Sequence, residues 1–198
     1  MKQKIKWITA TALIGLLISP VSGQFSAGYN FIKAVRDRDG AKVTEIVEKP
    51  GSVIIDTRDD KNGETGLHIV TRARDLIWMN FLLARGARPD LRDKVGNTPL
   101  MIAAQLGYVE GTQLLLSRRA LVDFPNSAGE TPLIRAVQNR NSAVVQLLMN
   151  AGANPAKTDT LAGLSARDYA KRDVRAAAIL KILDAAKPLK SGAISGPK

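Results

Sequence analysis

One motif recurs in this sequence at a fixed interval. Gly-x-Thr-Pro-Leu occupies residues 96–100 and appears again at residues 129–133, 33 positions later, and small apolar residues follow each copy. A related segment, Gly-Glu-Thr-Gly-Leu, starts another 33 positions earlier, at Gly63. A period of this length is typical of repeat proteins, in which each unit buries its apolar face only by stacking on its neighbours. The repeat therefore predicts an array of similar units.

Weaker copies of the pattern extend toward both ends of the chain. The alanines that follow Thr-Pro-Leu, Ala103 and Ala136, serve as the anchor, and the equivalent positions are Ala34, Val70 and Ala170. The first connection is three residues longer than the regular period and the last is one residue longer. The pattern predicts five units, at approximately residues 28–60, 61–95, 96–128, 129–162 and 163–187.

Each unit has the sequence features of two helices joined by a turn. Thr65, Thr98 and Thr131 stand where a hydroxyl can cap the first helix, and proline follows the last two at the first helical position. The second helices of the three middle units carry paired leucines, at residues 82–83, 115–116 and 147–148. Two of these helices end before Gly-Ala, at residues 86–87 and 152–153, where glycine adopts a left-handed conformation at little cost. The predicted fold class is therefore all-α, a helix-turn-helix solenoid of about five stacked repeats with short loops.

These features resemble the ankyrin repeat family. The resemblance rests on Thr-Gly-Leu-His, Thr-Pro-Leu-Met and Thr-Pro-Leu-Ile at intervals of 33 residues, and on the Gly-Ala pairs before the loops. It covers most of residues 24–187 and is weaker in the first and last units. It implies an ankyrin-type fold and a partner protein bound by the first helices and the loop tips.

The turn between the two helices departs from the family pattern. Glycine is usual there, and Gly107 fits, whereas Arg38, Arg74 and Arg140 occupy the turn in three other units. A left-handed arginine costs about 1 kcal/mol relative to glycine. Either the turn geometry differs in those units or the arginines have a further role.

Catalytic and metal chemistry find little support in the composition. The single histidine, His68, belongs to the repeat motif, and we predict that its ring hydrogen-bonds within the turn. The chain has no cysteine, so Cys–His nucleophilic catalysis is excluded and a zinc site built from these ligands is nearly so. Neither a phosphate-binding loop nor a dinucleotide fingerprint is present. We predict a protein that is not an enzyme, with no catalytic residue, no metal and no cofactor.

Two groups of carboxylates need a separate interpretation. Asp59, Asp60 and Glu64 lie in the first long loop, and Asp168 and Asp173 lie in the last unit. Acid–base catalysis requires a closed cleft that separates the pKa values of two such groups. The loop is rich in polar residues, so we interpret these carboxylates as solvated loop charges.

The two ends of the chain have their own signatures. Three lysines precede an apolar run at residues 7–18, and small residues follow, which is the layout of a secretory signal peptide over residues 1–23. Cleavage is expected after Gly23 or after Ala27, and the apolar run is shorter than the roughly 20 residues of a membrane span. We expect a periplasmic or secreted protein without a membrane span after cleavage, ending in a flexible tail at residues 188–198.

The candidate partner site follows from the repeat register. On each first helix, the position before the anchor residue and the position two after it are expected to be exposed on the concave face. None of these residues is acidic and five are basic, which suits an acidic partner surface. They are Lys33, Arg36, Ile69, Arg72, Ile102, Gln105, Arg135, Gln138, Tyr169 and Arg172. The loop tips are mixed in charge and are expected to contribute as well.

Three functional hypotheses remain open from the sequence. The first is an adaptor or inhibitor, expected to be a monomer, that binds one protein in the periplasm. The second is an electrostatic binder of anionic envelope polymers, which the formal charge of +11 favours (+8 without the three N-terminal lysines). The third is a secreted effector that acts on a host protein. Nothing in the sequence predicts specific nucleic-acid binding, because aromatic platforms for bases are absent.

Overall fold

The computed structural model describes residues 27–48 and 54–185. The predicted signal peptide (residues 1–23) and tail (residues 188–198) lie outside these described residues. The described part contains ten α-helices, two short 3-10 segments and no sheet. The helices are α1 (Ala27–Asp37), α2 (Gly40–Val47), α3 (Gly66–Arg72), α4 (Leu76–Ala84), α5 (Pro99–Leu106), α6 (Val109–Ser117), α7 (Pro132–Gln138), α8 (Ser142–Asn150), α9 (Ala166–Arg172) and α10 (Ala177–Ala185).

The helices stack in two layers. The first helices of the pairs, α1, α3, α5, α7 and α9, each pack on the next one in the series. The second helices α4, α6, α8 and α10 do the same in the other layer. Each of the five second helices also packs on the first helix of its own pair. Leu115, Leu133 and Leu148 are completely buried between the layers. The prediction of an all-α solenoid with five stacked helix pairs is confirmed.

Hydroxyl caps set the starts of three first helices. The Thr98 hydroxyl accepts a hydrogen bond from the amide of Met101 (3.2 Å), and Thr131 accepts one from Ile134 (3.3 Å). Ser165 caps α9 in the same way. These bonds satisfy amides that have no partner within the helix. The predicted caps at Thr98 and Thr131 are therefore confirmed.

The loops between helix pairs hydrogen-bond to one another through their backbones, and we call this series the finger ladder. Its acceptor carbonyls recur every 33 residues, at Asn62, Val95 and Ala128. The donors are the amides of Lys94 (2.9 Å), Ser127 (3.1 Å) and Thr160 (2.9 Å). Each loop is therefore held against the next one, which makes the loop edge of the array a continuous surface.

A second series of bonds joins consecutive units through aspartate side chains. Each aspartate accepts from a backbone amide just beyond the second helix of the next unit. The pairs are Asp56 with Arg88 (3.0 Å), Asp90 with Leu121 (2.8 Å) and Asp123 with Asn154 (3.1 Å and 3.0 Å). Because these bonds span unit boundaries, they fix the stacking register as well as the loop conformation.

The arginines in the inter-helix turns are left-handed, like the glycine they replace. The φ angles of Arg38, Arg74 and Arg140 are 57°, 53° and 56°, against 64° for Gly107. The turn geometry is therefore the same as at Gly107. The arginines have a further role, because each side chain reaches the next unit. The contacts are Arg38 Nε to Asp75 Oδ2 (2.7 Å), Arg74 to the carbonyl of Leu106, and Arg140 Nη1 to Asp173 Oδ2 (3.1 Å).

Arg119 offers a test of this explanation. It follows α6 with φ 61°, in the position that Gly86 and Gly152 hold in neighbouring units. Its side chain makes no hydrogen bond or ion pair with the described residues. Arg119→Gly is expected to raise the free energy of unfolding by about 1 kcal/mol, because it removes left-handed strain without removing a contact. Urea denaturation measures this change.

Arg140→Gly is the matched control for Arg119→Gly. It relieves the same backbone strain but removes the ion pair with Asp173. The gain in stability should therefore be smaller than for Arg119→Gly. Equal gains from the two substitutions would show that the contact to the next unit contributes nothing.

Candidate partner-binding surface

The ten predicted site residues all lie on the first helices, but they differ in exposure. Lys33, Arg36, Arg72 and Arg172 are exposed, while Ile69, Gln105, Arg135, Gln138 and Tyr169 are partly exposed. Ile102 is an exception, because only 1% of its surface is accessible. It belongs to α5, which is packed between α3 and α7. The predicted exposure of Ile102 is therefore wrong, and this residue contributes to the core.

Four of the five cations in the predicted basic strip have a carboxylate partner in the structure. Lys33 forms an ion pair with Asp37 one turn further along α1. The three arginines reach carboxylates in the loops: Arg36 Nη2 to Asp59 Oδ2 (2.7 Å), Arg72 Nη2 to Glu64 Oε1 (2.6 Å) and Arg135 Nη1 to Glu130 Oε1 (3.3 Å). Sequence reasoning along the first helices missed these partners, since they come from the preceding or following loop.

The first two arginine pairs have the same orientation relative to solvent. The side chain of Asp59 is 13% exposed and that of Arg36 is 48% exposed. For Glu64 and Arg72 the values are 8% and 50%. The carboxylate is therefore the covered member of each pair, and the guanidinium is the member exposed to solvent. A guanidinium held in this way loses less conformational freedom when it binds a further group.

Asp59 is ionised and built into its loop. Burial alone would raise its pKa, but the hydrogen bond from the Lys61 amide and the charge of Arg36 bring the pKa below its ordinary value. Glu64 is buried as well and accepts hydrogen bonds from Asn62 (2.8 Å) and Arg72. The interpretation of these two carboxylates as solvated charges is therefore wrong.

The two carboxylates of the last unit also have structural roles. Asp168 accepts from the hydroxyl of Ser165 (2.6 Å) and from its amide (3.1 Å), which completes the cap of α9. Asp173 accepts from the amide of Arg175 (3.0 Å) and pairs with Arg140. These hydrogen bonds lower the pKa of both carboxylates. Asp168 is therefore part of a helix cap, and Asp173 is part of an ion pair.

Tyr169 is locked at the C-terminal end of the concave face. Its hydroxyl donates to Asp159 Oδ2 at 2.6 Å, and this bond raises the pKa of the tyrosine. Asp159 also accepts from the amides of Ala162 and Gly163. The aromatic ring is thus fixed relative to the last loop and is a preorganised part of the surface.

Two neighbouring cavities lie at the N-terminal end of the concave face. The first, of about 570 Å³, lies between α1 and residues 57–61 and contains the Arg36–Asp59 pair. The second, of about 510 Å³, lies between the end of α3, residues 61–64 of the preceding loop and residues 93–97 of the following loop, and contains the Arg72–Glu64 pair. Lys61 lines both cavities and separates them. We call them the first and second arginine cavities.

His68 has the structural role predicted from the motif. It is fully buried, its Nδ1 accepts from the amide of Thr65 (3.1 Å), and its Nε2 lies 3.0 Å from the carbonyl oxygen of Asn97. A carbonyl can only accept, so Nε2 carries the proton and the ring is neutral. The Thr65 hydroxyl lies 2.8 Å from Nδ1 and donates to the ring. The same residue is the N-cap of α3 and forms a capping box with His68, as the sequence predicts. His68 therefore joins the second unit to the third.

The neutral His68 predicts a specific pH dependence of stability. Burial lowers its pKa from 6.5, although the bond to Asn97 opposes this shift. Below about pH 6.5 the unfolded chain takes up a proton that the folded chain does not, so the free energy of unfolding falls as the pH falls. Carboxylates with a lowered pKa, such as Asp59 and Asp75, lose their contribution only below about pH 4.

Urea denaturation at several values between pH 7.5 and pH 5 checks this expectation. The midpoint should fall with pH for the natural protein and stay nearly constant for His68→Gln. The same slope in both proteins would mean that groups other than His68 control stability in this range.

The described residues contain neither a metal-binding cluster nor a helix that could span a membrane. No group of three or more histidine, cysteine, aspartate or glutamate residues there is arranged to hold a metal ion. No helix within residues 27–48 or 54–185 is long and apolar enough to cross a membrane.

Stacked helix pairs, a loop ladder and a concave face with fixed side chains define the class of protein as a helical repeat solenoid. A profile described as "Ankyrin repeats (3 copies)" matches residues 31–120 and residues 67–159. The two matches cover more than half of the 198 residues, and the chain belongs to the ankyrin repeat family. Ankyrin repeats are protein-binding modules, and no catalytic family is detected. A search of the curated proteins returned no match.

Proposed function

We propose that this protein is a non-catalytic adaptor or inhibitor that binds one partner protein on its concave face. The observation that supports this most strongly is the set of arginines held by loop carboxylates that are largely covered. Arg36 and Arg72 are positioned before any partner arrives, and the finger ladder holds the loops that carry their carboxylates. A preorganised surface of this kind loses little entropy at the interface on binding, which favours a specific partner.

The charge distribution favours a specific partner over general attraction to polyanions. The full chain has 29 lysines and arginines and 18 aspartates and glutamates, a formal net charge of +11, or +8 without the three N-terminal lysines. Several of these cations are compensated by direct ion pairs on the concave face. Binding that rested on counterion release would need many uncompensated cations on one surface.

The N-terminal sequence supports export as a further part of the proposal. We propose that residues 1–23 direct the chain to the periplasm and are then removed, because a basic segment and a short apolar run precede small residues. Cell fractionation with mass determination of the purified protein tests this. A periplasmic protein beginning at residue 24 or 28 supports it, and an intact N-terminus in the cytoplasm contradicts it. Recovery from culture medium would favour an effector.

A pull-down from envelope extract at low and near-physiological salt tests the proposed function. The informative variant is Glu64→Gln with Arg72→Gln, which removes the exposed guanidinium without leaving a buried carboxylate unpaired. The matched control is Lys42→Gln with Glu45→Gln, which removes an exposed ion pair from α2. One protein retained at both salts by the natural chain and the control, and lost by the informative variant, is the expected result. A salt-sensitive mixture of polyanions retained by all three contradicts the proposal.

A further inference from the structure

The two arginine cavities contain the same arrangement one unit apart. Each has an exposed guanidinium above a nearly buried carboxylate, Arg36 above Asp59 and Arg72 above Glu64. The cavities share only the wall formed by Lys61. A partner segment that entered both cavities would therefore meet two equivalent cations in succession.

Each guanidinium keeps donors for a second acceptor. Arg72 bonds Glu64 through Nε (2.9 Å) and Nη2 (2.6 Å), and its Nη1 makes no hydrogen bond with the described residues. Arg36 bonds Asp59 through Nη2 alone among those residues, so its Nε and Nη1 are available. A guanidinium carries five donors in a planar fork, which matches a second carboxylate with paired hydrogen bonds.

The unit spacing determines how far apart the two acceptors must be. Neighbouring packed helices are about 8–10 Å apart, and Arg36 and Arg72 project from the neighbouring helices α1 and α3. In a polyproline II conformation, residues three apart lie on the same face and are separated by about 9 Å. In a β-strand, residues two apart on one face are separated by only about 7 Å, and residues four apart by about 13 Å. Of these intervals, only three residues in a polyproline II segment match the distance of about 8–10 Å between neighbouring helices.

We infer that the two arginine cavities recognise an extended partner segment carrying two carboxylates three residues apart. The segment runs along the stacking direction, crosses Lys61, and places one carboxylate on Arg36 and the other on Arg72. This inference rests on the proposed function and names the partner chemistry of the same concave face. A helical partner is less suitable, because a helix about 10 Å wide must pass the wall between two cavities of about 570 Å³ and 510 Å³.

Fluorescence anisotropy with labelled peptides tests the inferred spacing. Four peptides of identical composition each carry two aspartates in a proline-rich background. The second aspartate stands two, three, four or seven positions after the first, and this number is the spacing of the peptide. The protein is expressed from the full-length gene and purified. The peptide with spacing three should bind at least tenfold more tightly than the peptides with spacing two or four. Equal binding of all four peptides, tightest binding at spacing seven, or no binding of any peptide would overturn the inference.

Variants of the two ion pairs identify the site of peptide binding. Arg36→Gln with Asp59→Asn, and Glu64→Gln with Arg72→Gln, should each weaken binding of the spacing-three peptide about tenfold, while the α2 control should bind as the natural chain does. Arg72→Lys keeps a cation beside Glu64 but loses the fork, and should weaken binding several-fold. Circular dichroism establishes that each variant is folded. Unchanged binding by the folded double variants would overturn the inference.

The peptide result and the pull-down distinguish two kinds of failure. A partner captured through Arg72 in the absence of peptide binding would overturn the inferred segment and leave the proposed function standing. Equal displacement of all four peptides by polyphosphate would indicate a surface that binds anions whatever their spacing. That result would overturn the inference.

Discussion

Gly96→Ala is expected to lower the free energy of unfolding by about 3 kcal/mol, because it combines backbone strain with a steric clash. Gly96 has φ 86°, a left-handed conformation that alanine adopts at a cost. A Cβ atom at this position would lie 2.5 Å from the backbone nitrogen of Ser127, which belongs to the next loop. The amide of Ser127 donates to Val95 in the finger ladder, so relief of the clash would break that bond. Urea denaturation monitored by circular dichroism measures the loss.

Gly86→Ala separates the clash from the strain. Gly86 has φ 90°, and a Cβ atom there would meet nothing within 4 Å. The expected loss of unfolding free energy is therefore that of the left-handed backbone strain alone, about 1–2 kcal/mol. A loss for Gly96→Ala no greater than that for Gly86→Ala would mean that the loops are not held closely against one another.

His68→Ala is also expected to lower the free energy of unfolding by about 3 kcal/mol. The substitution leaves the buried amide of Thr65 without an acceptor and removes one of the two donors to the Asn97 carbonyl, which also accepts from Asp93. It also leaves a cavity in a fully buried site. The second and third units should therefore be held together less firmly, and urea denaturation at pH 7.5 measures the effect.

His68→Gln is the matched control for His68→Ala. Glutamine at the third helical position can accept from the amide of the cap residue, as in other capping boxes. It should therefore recover about 1 kcal/mol of the stability lost in the alanine variant. Equal losses for the two variants would indicate that the cavity, and not the lost acceptor, accounts for the destabilisation.

The fold could be predicted because its signals are local and repeated. Thr98 and Thr131 cap helices through bonds to residues three positions away, and the Gly86 and Gly152 turns depend on their own backbone conformation. Such features recur every 33 residues, so each copy supports the others. The fold class therefore followed from the sequence before any tertiary contact was known.

The electrostatics of the site could not be predicted from the first helices alone. Arg36 meets Asp59 across 23 residues of sequence, a distance that the helix register does not cover. A usable signal was present, since Gly-Glu-Thr at residues 63–65 and residues 129–131 places a glutamate directly before the cap in two units. Each of these glutamates is the partner of an arginine on the helix that follows. The burial of Ile102 gave no such signal, because it depends on how neighbouring helices pack.

The left-handed arginines show a similar division between local and distant causes. The sequence predicted a glycine-like turn and identified Arg38, Arg74 and Arg140 as departures from it. The reason for the departure lies one unit away, for example in Asp75 and Asp173, to which two of these side chains bind. A contact across a unit boundary becomes visible only when the units are stacked.

Hydrogen–deuterium exchange of the protein alone and with its captured partner tests the central claim most directly, because it reports which face the partner covers. We expect slower exchange in the concave elements on binding, at α1, α3 and residues 57–64, with little change in α6 and α8. Slower exchange confined to the second helices, with α1 and α3 unchanged, would contradict the assignment of the concave face as the binding surface.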